Sequence, residues 1–280
     1  MVPTKEPGEA YSQLLQLLVT MVEAPKGMPI SDGDWWMNDR QTLAKKLIYH
    51  LCTLHQIAAG SVITLNDFET RIVDHPSAKV VARAVMENYL TFAFLFGPAD
   101  LEVSRLRAMI WRMSGLMSRQ KYPVLNAESQ TKADLEKARI ELLKAEITVH
   151  ELFLTLAPVQ QRAALKGDWR MNMKWHEIAK AVNLSVSFFV SSYTYLCDYS
   201  HSSYIAALQV GEADTPEAER ALTTVTLRIA NYIMALFIQH YSDLFEPAMA
   251  TMQNSPCLPT AIMWWKAAAE LDEAYVRRDL

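Results

Sequence analysis

The sequence predicts an all-α protein, a single-domain multi-helix bundle over residues 1–280 with about nine helices and little or no sheet. Three observations lead there. Apolar residues recur at intervals of three and four, as in Tyr11, Leu14, Leu15, Leu18 and Val22, or Leu43, Leu47, Leu51, Leu54 and Ala58, the spacing of one helix face. Only eight glycines occur, and no Asn-Gly or Asp-Gly pair is flanked by alternating strands. No repeat of fixed period is present.

Punctuation places the elements. Helices are expected over residues 8–24, 37–59, a short 64–73, and 77–96, the last ended by Gly97-Pro98. A charged helical hairpin follows, with arms at 99–120 and 129–157 joined by Lys121 to Asn126, and with Thr131 and Asp134 spaced like a capping box. Pro158 stops the second arm. Further helices are expected near 172–182, 186–209, 216–245 and 260–277, and Asp214-Thr-Pro-Glu217 is a strong start signal for the third of these. The 216–245 helix is apolar on nearly every face from Ile229 to Ile238, which places it at the centre of the bundle with the 77–96 and 186–209 helices. The final helix follows a loop at Asn254 to Pro259 that would let it dock separately.

Composition narrows the function classes. Hydrophobic residues at 51% and charged residues at 21% describe a chain that folds rather than a disordered one. A net charge of −4 offers no global attraction to nucleic acid or an anionic membrane, so such binding would need a local patch. Cys52, Cys197 and Cys257 are widely separated and lack metal-ligand spacing, and His50 and His55 are five apart rather than four, so neither a metal nor a cofactor is expected. The amino terminus has no basic start followed by an apolar core, and the most apolar stretches, Tyr89 to Phe96 and Ile229 to Ile238, are about half the ~20 residues a bilayer requires. The expectation is a cytoplasmic protein without a membrane span.

Four constellations carry possible chemistry. Lys174 to Ser187 reads like the start of a helix-turn-helix, but no Lys or Arg lies between Ala181 and Glu219, so DNA is not the expected partner. On the 99–120 helix, Arg105, Arg112 and Arg119 fall seven apart on one face beside Trp111, a stripe suited to an RNA backbone. The ordinary reading of that stripe is an ion-pair seam with Asp134, Glu136, Glu141, Glu146 and Glu151 from the facing arm. Arg83 and Glu87 stand one turn apart in an otherwise apolar helix, either a buried functional pair or a plain helix-face pair. Tyr193 to Tyr204 sets four tyrosines around Asp198 and His201, with Tyr193, Cys197, His201 and Tyr204 on one face and Asp198 placed to pair with His201. That cluster suits an acid/base site, and equally a hydrogen-bonded core. Trp35-Trp36 and Trp264-Trp265 read as core anchors or subunit contacts.

The order of an Arg83-Ala-Val-Met-Glu87 helix, a charged hairpin, Asp168-Trp169, Ile178 to Val182 and Tyr195 to His201 resembles an uncharacterised family of helical prokaryotic proteins, over about residues 77–210. That family is in turn similar to the HEPN group of helical bundles, many of which dimerise and cut RNA with an Arg and a His four to six residues apart on one helix. The resemblance implies a defence or toxin-type protein that binds or cleaves RNA. Arg83, Glu87, Tyr195 and His201 would form its site, and Arg105, Arg112 and Arg119 its backbone contact. The sequence departs from the HEPN pattern in having no arginine ahead of His201 on its helix, so Arg83 would have to reach it from another; Arg170 to His176 has the spacing but straddles a helix start. The alternative is a non-catalytic helical module that binds a protein partner, a second copy or a small ligand.

Overall fold

A computed structural model describes residues 6–276 of the chain. The elements in chain order are α1 (Pro7–Glu23), a 3-10 turn (Trp35–Met37), α2 (Asn38–Ala59), β1 (Ser61–Leu65), β2 (Phe68–Ile72), α3 (His75–Phe96), α4 (Leu101–Arg119), α5 (Ala127–Thr148) and α6 (Glu151–Thr155). They continue with α7 (Pro158–Leu165), α8 (Trp175–Ala181), α9 (Val186–Ser200), α10 (Tyr204–Glu212), α11 (Pro216–Leu244), α12 (Glu246–Gln253) and α13 (Leu258–Val276). The fold is predominantly all-α. Residue 277, the end of the last expected helix, and the first five residues of the amino-terminal stretch lie outside the described residues.

Thirteen α-helices among the described residues exceed the nine expected, because local caps cut what periodicity alone runs together. The 129–157 arm breaks where the His150 imidazole accepts the Leu152 N–H and starts α6. The 186–209 helix breaks at His201 to Ser203: Ser202 has a positive φ of 52° and Ser203 Oγ caps α10 by accepting the Ala206 N–H. Tyr204 therefore belongs to a different helix from Tyr193 and His201. At the hairpin, Asn126 rather than Thr131 caps α5, its Oδ1 accepting the Ser129 N–H at 2.8 Å. The short helix expected at 64–73 is instead an antiparallel hairpin, Ser61 opposite Ile72 and Leu65 opposite Phe68. Val62, Ile63, Thr64, Thr70 and Ile72 supply β-branched side chains, and Asn66, at φ 52°, makes the two-residue turn that an Asn-Gly pair usually makes.

Contacts cluster the chain into two compact units, Met1–Pro29 with Gln41–Thr91 and Leu184–Leu280, and Ile30–Arg40 with Phe92–Asn183. In the first, α11 is the axis. It buries Leu227, Ile229, Ile233, Phe237, Ile238 and Tyr241 against α1, α12 and α13. By length and composition α11 would suffice to cross a bilayer, but 67% of its apolar window is covered by the protein, the condition of a core helix. The last helix docks on it through Trp264, which is buried, and Trp265, whose indole N–H donates to the Ala235 carbonyl at 2.5 Å.

The second unit is built on α4, which buries Leu106, Met109, Ile110 and Met113. Here guanidinium groups lie over aromatic rings: Arg107 is 4.0 Å from the Phe94 ring centroid, Arg40 is 5.2 Å from Trp36, and Arg112 is 3.9 Å from Trp35. Asp168 holds the turn before α8, its carboxylate accepting the N–H groups of Arg170 and Asn172. Gly167, at φ 85°, sits where a side chain would be strained: a Cβ there would meet Met117 Sδ at 3.2 Å, and its carbonyl accepts the Ser114 hydroxyl at 2.6 Å.

Candidate functional site

Helix α3 carries Arg83 and Glu87 one turn apart, and in the first unit they face α9. Arg83 Nε donates to Glu87 Oε1 at 3.0 Å, and Arg83 Nη2 to the Tyr193 hydroxyl at 3.3 Å. The Tyr193 hydroxyl in turn donates to Glu87 Oε1 at 2.6 Å. His201 closes the group, its Nε2 lying 3.4 Å from Arg83 Nη1. A guanidinium can only donate, so the contact uses the Nε2 lone pair and leaves the ring proton on Nδ1. The arginine thus reaches the histidine from another helix.

The position of His201 follows from the break in α9. As the residue that ends the helix, it sits at the carbonyl-rich end of α9, where the helix dipole favours a cation such as the neighbouring guanidinium. Its side chain is exposed, while those of Arg83 and Glu87 are 25% and 30% accessible. The group is therefore a rim site: a half-covered ion pair with one open imidazole. Burial works against the charge of Arg83, but Glu87 and Tyr193 more than offset it and hold its pKa above the ordinary guanidinium value. Burial and the hydrogen bond to Glu87 keep the Tyr193 phenol protonated. Burial also raises the Cys197 thiol, which keeps it in its non-nucleophilic form despite the nearby Arg83.

Of the four residues expected at the site, Arg83, Glu87 and His201 come together and Tyr195 does not. Its place is taken by Tyr193, two residues earlier on α9. His201 faces Arg83 rather than Asp198, whose carbonyl accepts the Ser203 N–H at 2.9 Å. Tyr195 belongs to a second cluster. There Lys79, fully buried, places its ammonium 3.1 Å from His75 Nδ1, 4.3 Å from the Tyr199 ring centroid and 5.6 Å from that of Tyr195. Burial lowers the Lys79 pKa to about 8 against the pull of Asp74, and burial followed by Lys79 lowers that of His75. Sequence reasoning missed Lys79; the available signal was a lysine four residues after His75 and four before Arg83 on a helix rich in alanine and valine.

Each arginine of the expected stripe in the second unit has a carboxylate. Arg105 lies 3.9 Å from Glu102 and Arg119 lies 2.9 Å from Glu136. Arg112 makes two bonds to Asp39, at 2.5 and 2.8 Å. Among the described residues, Glu136 is the acid of the facing arm that pairs with the stripe. The strongest pair comes instead from Asp39, at the start of α2.

Comparison with protein-family models, curated proteins and solved structures finds no match. Among the described residues, no group of three or more His, Cys, Asp and Glu could hold a metal ion.

Two consequences are measurable. Replacing Arg112 by Met leaves the Asp39 carboxylate, only 11% accessible, without its cation. It should lower unfolding free energy by about 2 kcal/mol in urea titration, with part of the loss recovered in Asp39→Asn/Arg112→Met. For Lys79, the unfolded chain keeps its proton to the ordinary value of 10.5 and the folded one releases it near 8, so stability should rise with pH between those values. Buried tyrosines oppose this above about pH 10. Urea melts between about pH 7 and 10 should show that rise, ~2 kcal/mol in size, and Lys79→Met should flatten it.

Proposed function

We propose that the protein binds single-stranded RNA and cleaves it at the Arg83–His201 rim. The observation that carries this reading is the 3.4 Å approach of Arg83 Nη1 to an exposed imidazole, with Glu87 and Tyr193 fixing the guanidinium from behind. Phosphodiester cleavage uses such a pair: a guanidinium to hold the phosphate and an imidazole to take the proton of the attacking hydroxyl. The 2′-oxygen would bond to phosphorus as His201 Nε2, its lone pair released when Arg83 Nη1 turns to the phosphate, accepts its proton. The bond to the 5′-oxygen then breaks, that oxygen is protonated from solvent, and a 2′,3′-cyclic phosphate is left. The resemblance to HEPN proteins adds to this reading, with Arg and His drawn from two helices instead of one. Because the stripe arginines are engaged with carboxylates, phosphate contact falls to Arg83, and affinity should depend weakly on salt. A cytoplasmic location, where RNA is present and thiols stay reduced, fits the same reading.

Purified protein incubated with a mixed single-stranded RNA pool should bind with a log–log salt slope of roughly −1 to −2. It should leave cyclic phosphate ends, and His201→Ala should lose about 10²–10⁴-fold in cleavage with stability within about 0.5 kcal/mol of the parent. Absence of binding at low salt, or full cleavage by His201→Ala, would overturn the proposal.

A second reading has its own observation. The β1–β2 hairpin leaves Val62, Leu65 and Phe68 between 60% and 64% exposed, and two-stranded hairpins are marginal alone. Free strand edges with an apolar tip suit pairing with the same hairpin of a second copy, giving a homodimer. Light scattering should then find a dimer that Phe68→Lys converts to monomer; a monomeric parent at high concentration would rule this out.

A further inference from the structure

Gly115 occupies the interior of α4, where glycine costs about 1 kcal/mol relative to alanine. Nothing in the local structure requires it. Its φ is not positive, and a Cβ built there meets no atom within 4 Å. Gly167, in contrast, is favoured by both φ and a close sulfur. What the bare backbone at Gly115 does is leave open the floor of a groove of about 700 Å³ in the second unit.

The groove has a definite chemistry. Its walls are Trp111 and Trp169 with Leu116 and Leu143, and its lining holds two arginines, Arg112 and Arg139, and no carboxylate. The charge of Arg112 is met by Asp39. Arg139 has the Trp35 ring 5.1 Å away and, among the described residues, no acid within ion-pair distance. Trp111, half-buried, makes no hydrogen bond or ring contact among the described residues. An indole without a ring partner and an unneutralised guanidinium therefore line one recess, whose volume falls in the roughly 300–1,000 Å³ range of small-molecule sites.

We infer that this groove binds a planar aromatic ring carrying an anionic group, of the class of a nucleotide, with the base stacked on Trp111 and the phosphate held by Arg139. The ligand is either a free mononucleotide or one nucleotide of a single strand. The inference is independent of the Arg83–His201 reading, since all its lining residues belong to the other unit. A His201 variant leaves it untouched.

The test is quenching of intrinsic tryptophan fluorescence in the full chain, titrated separately with AMP, adenosine, inorganic phosphate and a short oligoadenylate RNA. AMP should quench saturably in the millimolar range or below, adenosine should bind about tenfold more weakly, and phosphate should not quench. Arg139→Gln should weaken AMP by about tenfold and bring it level with adenosine. Gly115→Leu fills the recess in a helix that accepts it, so it should abolish quenching while circular dichroism and the melting temperature are kept or improved. Trp111→Leu should also remove the signal. Saturation by AMP alone assigns a free nucleotide, and tighter binding of the oligonucleotide with the same response to both groove variants assigns a strand. The inference fails if AMP does not quench, if adenosine binds as tightly as AMP, or if Gly115→Leu quenches like the parent.

Discussion

The stretch of α11 from Ile229 to Ile238, apolar on nearly every side, cannot remain uncovered in water, and the first unit is organised around that constraint. Each buried Leu, Ile or Phe of α11 contributes about 1.5–3 kcal/mol on burial, enough to draw α1 onto it from the far end of the chain and to fold α12 and α13 back along it. The polar contacts there follow the same logic. Asn231, at the fully buried centre of α11, donates to the Pro7 carbonyl at 2.9 Å, and the Tyr11 hydroxyl donates to the Leu51 carbonyl at 2.7 Å. These two donors each find a carbonyl, and the bonds tie α11 to the start of α1 and α1 to α2.

The second unit solves a different problem. Its interior surfaces carry arginines that cannot be removed from water as isolated charges, so each is laid over a ring, aimed at a carbonyl or bound to an acid. Arg107 combines the Phe94 ring with the Phe94 carbonyl, and Arg112 combines Trp35 with Asp39. Arg107 and Arg112 thereby become internal ties, while Arg139 has no acid within ion-pair distance among the described residues.

The two polar clusters on α3 show how one helix face separates roles by depth. Lys79 lies fully inside, held by His75 and two tyrosine rings, where ionisation is opposed by burial. Arg83, one turn on, reaches the rim, where Glu87 and Tyr193 keep it charged and His201 remains open to solvent. The inner cluster is packing with a titratable centre, and the outer one is a half-covered ion pair beside an open imidazole.

The three- and four-residue spacing of apolar positions determined by itself that the chain is helical, where most helices run and that α11 is a core helix, because periodicity depends only on neighbours along the chain. Composition along those helices also singled out Arg83 and Glu87 among apolar residues and His201 among tyrosines. Boundaries set by a single cap, at Asn126, His150 and Ser203, were not legible, since a Ser or His in a helical pattern reads the same whether it continues the turn or ends it. Tertiary structure alone decided that Tyr193 rather than Tyr195 joins the rim, because two residues on a helix differ by some 200° in direction and only the facing helix says which direction is occupied. It likewise decided that Arg112 belongs to Asp39, 73 positions away, and that Lys79 is buried. Charge pairing across such separations depends on how the helices pack, which no local pattern encodes.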